Sequence, residues 1–348
     1  MTLETSLRAV GVDVAKRTLD VGLDWNGKIP VKHVPNPRLG FEQMERWWES
    51  LGSGPVHVVL EATGTYSDAV ARYLYERGHR VSVINPARLV AFRKSEGGMT
   101  KTDKQDAKLL VRYAQQKQPQ EWTPPPEVFE QLQVLELRRE QVLQMRQQER
   151  NHLENSRLDE KTQQQISSHI EQLDTQVADL ESRAAALVAQ QEQLTAPCAL
   201  LDSIPGIASL TARRVMAVVV EVARFESASQ LVAYAGVASA EVSSGTSVRG
   251  SGAIHKNGHV WLRKWLYMPA LRVMTADADF AQWVAELRAR GKPNMVIVVA
   301  VMRKLLHIIY GVLASGQPYD AHKAFPTHYA TPVAGEGQPA GSGQACLP

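Results

Sequence analysis

The sequence predicts an α/β domain at the N-terminal end, a coiled-coil hairpin in the middle and a mostly helical domain after it. Three observations carry this expectation. Short apolar runs alternate with amphipathic stretches over residues 7–117. A heptad repeat runs from Ile166 to Leu194. Prolines punctuate the chain at Pro119, at Pro124-Pro125-Pro126 and at Pro197. Apolar runs too short for a helix and bounded by turn residues read as strands.

The elements follow in order. Leu7–Val14 and Thr18–Trp25 read as two strands joined tightly through Ala15-Lys16-Arg17, with a short third strand at Lys32–Val34. A helix is expected over Phe41–Leu51, a strand over Val56–Leu60, and a helix from Ser67 to Arg77 that Gly78 terminates. Arg80–Ile84 is the next strand, closed by Asn85-Pro86, and helices follow over Pro86–Ser95 and Asp103–Lys117. Three strands and then helix–strand–helix–strand–helix is the order of the ribonuclease-H-like fold. A first domain of residues 1–120 results.

Residues 127–195 form the second region, polar and rich in Gln and Glu. Ile166, Ile170, Leu173, Val177, Leu180, Ala184, Leu187, Gln191 and Leu194 alternate spacings of four and three, the seam of a coiled coil. The first half is patchier, with Leu132, Leu135, Val142 and Leu153, and a break near Asn155–Thr162 folds the two halves into a hairpin. The seam is expected to pair with another chain, giving at least a dimer; two helices packed inside one subunit would read the same. Pro197 opens the third region, residues 197–325. Within it Ser203-Ile204-Pro205-Gly206-Ile207 resembles a helix-hairpin-helix turn, whose amides can bind a phosphate, although a plain interhelical turn has the same pattern. Residues 326–348 are Gly-, Pro- and Ala-rich and are expected to be disordered.

A hydrophobic fraction of 44% with 22% charged residues fits a folded soluble protein. Cys198 and Cys346 are too few and too far apart for a disulfide framework or a cysteine zinc site, which suggests a reducing cytoplasm. No apolar run approaches the ~20 residues of a membrane span, and the first residues do not form a signal peptide. The net charge of +3 is uneven. Residues 203–310 hold 13 Lys and Arg against 6 Asp and Glu, which points to a polyanionic partner or to an ordinary solvated surface.

Four carboxylates stand where a metal site would need them. Asp13 and Glu61 end apolar runs, and Asp103 and Asp106 lie three apart at a helix start, on one face. Such a set suits hard, oxygen-loving Mg²⁺, with Mn²⁺ as a substitute, and phosphodiester chemistry. Residues 243–264 form a second constellation, a glycine-punctuated hydroxyl cluster leading into a basic stretch with Arg249, Lys256, His259, Arg263 and Lys264. These cations can neutralise a nucleic-acid backbone. A serine in such a loop can act as a nucleophile if activated, and a merely flexible loop reads the same.

At this point the chain resembles the transposases of the insertion-sequence-one-ten family. The matching stretches begin with Gly11-Val12-Asp13-Val14-Ala15-Lys16, Leu60-Glu61-Ala62-Thr63-Gly64-Thr65-Tyr66, Val83-Ile84-Asn85-Pro86 and Lys101-Thr102-Asp103-Lys104-Gln105-Asp106-Ala107. Further on come Ser203-Ile204-Pro205-Gly206-Ile207, Tyr234-Ala235-Gly236, Ser244-Gly245-Thr246-Ser247-Val248-Arg249-Gly250 and Gly258-His259-Val260-Trp261-Leu262-Arg263-Lys264. All keep the family order between Arg8 and Asp320. The resemblance implies a RuvC-like N-terminal domain, a coiled coil and a C-terminal transposase domain. It implies that Asp13, Glu61, Asp103 and Asp106 are the DEDD metal-binding tetrad and that Ser244 is the nucleophile, forming a covalent phosphoserine link to DNA. Thr246 stands where a serine is common, and Ser243 directly precedes the nucleophile. The resemblance further implies donor and target DNA and a noncoding bridge RNA as partners, a homo-oligomer (a dimer through the coiled coil, a tetramer when active), no membrane, and a bacterial cytoplasm close to the nucleoid.

Three rivals remain at this stage. A RuvC-like junction nuclease would use the tetrad and a water nucleophile without Ser244. An actin-like ATPase would need a second Asp-Gly hairpin and an adenosine site, for which the later chain offers no candidate. A non-catalytic nucleic-acid scaffold would not need four carboxylates.

Overall fold

The computed structural model describes residues 7–62, 64–97, 102–238, 242–244, 248–250 and 258–329. The chain divides into two compact units between Pro125 and Pro126.

The first unit is built on five strands: β1 (Arg8–Val14), β2 (Thr18–Leu23), β3 (Val31–Pro35), β4 (Val56–Glu61) and β5 (Arg80–Ile84), in sheet order β3-β2-β1-β4-β5. β2 is antiparallel to both β1 and β3, whereas β1, β4 and β5 run parallel. The antiparallel steps need only tight turns. The parallel steps need crossovers, supplied by α1 (Arg38–Leu51) and α2 (Thr65–Glu76). α3 (Pro86–Ser95) and α4 (Asp103–Lys117) complete the unit. The strand and helix order matches the expected one, with ends shifted by a few residues. Trp25 lies beyond β2 and pairs with Lys28 across a tight turn.

Alternation along the strands sets two cores. Val10, Val12 and Val14 with Leu19, Val21, Leu23, Val56, Val58 and Leu60 pack together with Phe41, Met44 and Trp48 of α1 and Val70 and Leu74 of α2. Ala9, Val59 and Ile84 pack on the other face with Leu89 and Phe92 of α3 and Leu109 and Leu110 of α4.

The second unit is helical: α5 (Glu127–Leu153), α6 (Glu160–Gln190), α7 (Glu192–Asp202), α8 (Ser209–Val219), α9 (Ala228–Ala235), α10 (Val260–Ala276), α11 (Ala278–Ala289), α12 (Asn294–Ser315), and the short α13 (Ala321–Ala324) and α14 (Pro326–Tyr329). Apart from these helices, β6 (Val242–Ser244) pairs antiparallel with β7 (Val248–Gly250) in a two-stranded ribbon.

α5 and α6 form an antiparallel hairpin, with Arg139 paired to Glu181, Arg146 to Asp174 and His169 to Glu149. The seam expected to seek another chain is occupied inside this one. Leu173, Val177 and Leu180 are buried against Val142, Leu135 and Leu143 of α5. Those three residues therefore need no second chain to cover them. Nor is the hairpin a separate module, because its Phe129, Leu132 and Ala184 belong to the core of α7–α12.

Three further expectations are corrected. Pro197 does not open a region but sits within α7, where its missing N–H removes one helical hydrogen bond. Structure continues past Phe325 into α14, where the His328 ring stacks on Phe325 and bonds to Asp279, and the rest of the expected tail, residues 330–348, lies outside the described residues. α12 is long and apolar enough to cross a membrane by composition. Here it is a core helix, burying Ile297, Val301, Leu305, Leu306 and Ile309 among the other helices.

Candidate active site

Strand parity brings the first three acids together. Since the even positions of β1 enter the α1/α2 core, Gly11 and Asp13 face the opposite side, toward α4. The same alternation turns Asp20 and Gly22 of β2, and Val59 and Glu61 of β4, to that side. Val12 lies beside Leu60 in the parallel pair, so Asp13 and Glu61 are the next residues on neighbouring strands. Asp20 lies directly across from Asp13 in the antiparallel pair.

α4 brings the other two. It settles on the sheet because Gly11 has no side chain: a Cβ there would stand 2.3 Å from the Ala107 carbonyl oxygen and 2.6 Å from Leu110 Cβ. Thr102 caps the helix, its hydroxyl accepting from the Gln105 amide at 3.3 Å. Asp103 and Asp106 then occupy the first turn, where the helix dipole favours negative charge. Asp103 is exposed and Asp106 is buried.

The electrostatics register this crowding. Asp13 is pushed up from 3.8 to about 7, first by burial and then by the negative charges of Asp106, Asp103, Glu61 and Asp20. Two charges are met within the unit. Arg93 of α3 donates to Asp106 Oδ1 at 2.5 Å, and the His33 ring lies 3.1 Å from Asp20 Oδ2. Among the described residues, no three acidic, His or Cys side chains close on a common point as a finished metal cage. The donor chemistry still suits a hard divalent cation, since the cluster is all oxygen and carries more negative charge than Arg93 offsets. Asp20 and Arg93 are the residues that sequence reading missed. A lone aspartate inside the apolar run Leu19-Asp20-Val21 was the available signal for the first; the second depends on α3 and α4 meeting in three dimensions.

In the second unit, Ser244 is the last residue of β6 and pairs with Val248, while Ser243 pairs with Arg249. Ser244 thus stands in the pair at one end of the ribbon. Lys256 lies outside the described residues. His259, Arg263 and Lys264 all have intramolecular partners. The His259 ring accepts from the Leu262 amide at 3.3 Å, capping α10, and stacks on Tyr234 with centroids 5.5 Å apart. Burial, and then Arg263, pushes this imidazole down to about 4, so it is neutral near neutral pH. Arg263 donates to the Ala235 carbonyl at 3.0 Å, and Lys264 to Glu140 at 2.8 Å. Gly258 makes this docking possible, because a Cβ on it would meet the Gly236 amide nitrogen at 2.1 Å. The sequence stretches 234–236 and 258–264 are therefore two sides of one contact.

Lys264 also joins a buried ionic cluster. Glu136 of α5 is fully buried and bonded to Arg213 and Arg214 of α8. Arg214 also donates to Glu140 at 2.5 Å and lies 5.3 Å from the Trp265 ring. Three cations of the basic region thus pair with buried carboxylates of α5, Arg213 and Arg214 from within and Lys264 from a half-exposed position. The turn at 203–207 is likewise structural in its environment, with Ile204 and Ile207 buried in the core.

Comparison with known proteins covers both units. The IS110-type DEDD family described as "Transposase" matches residues 10–163, and the "Transposase IS116/IS110/IS902 family" matches residues 198–285. The pilin gene-inverting proteins of Moraxella bovis and Moraxella lacunata are each 30% identical over 323 residues, covering 89% of this chain and 97% of theirs. An uncharacterized 43.6 kDa protein of insertion element IS110 from Streptomyces coelicolor is 30% identical over 122 residues, 35% of this chain and 30% of its own.

Proposed function

This chain belongs to the IS110 family of transposases, and from that premise we propose that it recombines DNA through Ser244, aided by the carboxylates of β1, β4 and α4. The observation that carries the reading is the likeness, over 89% of the chain, to proteins named for inverting a gene, since inversion requires strands to be both broken and rejoined. In the proposed reaction Ser244 Oγ loses its proton and attacks a DNA phosphorus. The bond to the leaving deoxyribose oxygen breaks and that oxygen takes up a proton. The phosphoserine diester keeps the bond energy, so a hydroxyl of a new strand can displace the serine without ATP. A neutral hydroxyl is a poor nucleophile and needs a base and an electropositive setting.

Asp13, Glu61, Asp103 and Asp106 are proposed to hold Mg²⁺ or Mn²⁺, which when bound would supply Lewis-acid charge to a phosphodiester. The crowding that lifts Asp13 supports this, because each acid raises the cost of its neighbours' charge. Donor and target DNA, chosen by pairing with a noncoding bridge RNA, are the proposed partners, and a homo-oligomer is the proposed working form. The first unit is proposed to be RuvC-like, in keeping with its mixed five-stranded sheet.

The test is to incubate the protein with guide RNA, DNA and Mg²⁺, denature it, and map any protein–DNA adduct by peptide mass. An adduct on Ser244, lost in Ser244→Ala and retained in Ser243→Ala, is expected. Cleaved DNA with free ends and no adduct would replace the proposal with a hydrolytic nuclease using water.

A further inference from the structure

The end of the sheet opposite Asp13 carries a groove of about 830 Å³ walled by two tryptophans and two lysines. Trp25 and Lys28 stand on the β2–β3 turn, Trp47 on α1 and Lys108 on α4. None of Asp13, Asp20, Glu61, Asp103 and Asp106 lines the groove, although Lys108 follows Asp106 by two residues on α4.

The turn is rigidly built. Asn26 and Gly27 both have positive φ, 49° and 73°, the pattern of the two-residue turn that suits a twisted hairpin. The Trp25 amide donates to the Lys28 carbonyl at 2.9 Å, and the Lys28 amide donates back at 3.0 Å. Directly opposed residues of this kind point to the same face of the ribbon, so an indole and an ammonium are fixed side by side. The Arg8 guanidinium lies 5.6 Å from the Trp25 ring centroid and also donates to the Gly52 carbonyl, bracing the ring. Trp25 and Trp47 pack against the core yet both remain partly open to the groove. No carboxylate is among the residues lining it.

We propose that this groove binds single-stranded nucleic acid, with bases stacked on Trp25 and Trp47 and phosphates met by Lys28 and Lys108. An apolar peptide would not use the two lysines, and a duplex hides its base faces, whereas a single strand offers both a π-face and a charge at every nucleotide. Its use of nucleic acid as the ligand class rests on the transposase reading; its test reads binding at the groove, so it can fail while Ser244 chemistry stands, and the reverse.

The experiment uses the full chain with short oligothymidylate and oligouridylate carrying a photoactivatable base. Adducts are expected on the peptides holding Trp25 or Trp47. The Lys28→Gln/Lys108→Gln double variant should flatten the salt dependence of binding by about 1.4 units of logarithmic slope, roughly 0.7 for each phosphate of a single strand that is no longer neutralised. Trp25→Leu and Trp47→Leu keep apolar cover over the core and should each weaken binding about tenfold. Stronger capture of oligouridylate assigns the groove to RNA, and stronger capture of oligothymidylate to a DNA strand. Adducts only elsewhere in the chain with an unchanged salt slope overturn the proposal. So does duplex DNA that competes the Trp25 and Trp47 adducts as well as single strands do.

Discussion

Replacing Asp13 by Asn should stabilise the metal-free protein. The carboxyl is pushed from 3.8 to about 7 in the folded chain, so the native state holds its proton more tightly than the unfolded state does. The contribution of Asp13 to stability is therefore best below about pH 4, falls as pH rises between the two values, and stays low above about pH 7. At ~1.4 kcal/mol per unit the ceiling of that loss is about 4 kcal/mol. Asp13 is only partly buried, so solvent screening should bring it to about 1–2 kcal/mol. Asn keeps the shape and removes the charge. Hydrogen exchange of β1 and α4 peptides, read by mass spectrometry in chelator and corrected for intrinsic rates, measures the local opening energy. Asp13→Asn should gain ~1–2 kcal/mol of protection at about pH 8 and almost none at about pH 4. Added Mg²⁺ should then protect the wild type and leave the variant unmoved. Equal protection of the two proteins in chelator at both pH values would refute the idea that the acids crowd one another.

Other consequences follow from packing. Gly11→Ala drives a Cβ into the backbone of α4, and overpacking of that kind costs about 1–3 kcal/mol; a lowered urea midpoint, together with faster exchange at the start of α4, is the expected result. Glu136→Ala leaves two arginines buried around a missing charge and should cost about 3–5 kcal/mol of unfolding free energy by chemical denaturation. Leu173→Asp with Leu180→Asp should lower the helical content and thermal midpoint of the isolated chain, because those residues fill a core within it; sedimentation showing a change of oligomeric state alone, with the melt unaltered, would contradict that.

The sheet was legible because its strands are short apolar runs closed by polar or turn residues, with Asp13 and Glu61 at or next to the ends of two of them. The face they share was not written in any one strand. It emerges from the Val12–Leu60 register and from Gly11 admitting α4. The heptad does mark a seam, but what fills that seam is a helix of the same chain. α5 meets it with apolar residues interrupted by buried Glu136, Arg139 and Glu140, so its own periodicity looks too weak to be a partner. The same buried charges explain why Lys264, which looks like a phosphate contact in sequence, is paired with Glu140. An ion pair to a buried carboxylate leaves no local mark in composition; only the partner's position reveals it.

The cluster around Glu136 also bears on how this protein could be re-engineered. It ties α5, α8 and α10 through charges whose partners lie more than seventy residues apart in the chain. A chimera that borrowed its hairpin from a relative keeps the cluster only if the donor supplies carboxylates at the positions of Glu136 and Glu140. Grafts that move α5, α8 and α10 as one block should express as folded protein, and grafts cut between them should aggregate. For this scaffold the unit of exchange is a set of interlocking charges, which a cut at Pro125–Pro126 keeps whole and a cut between the hairpin and α7 would split.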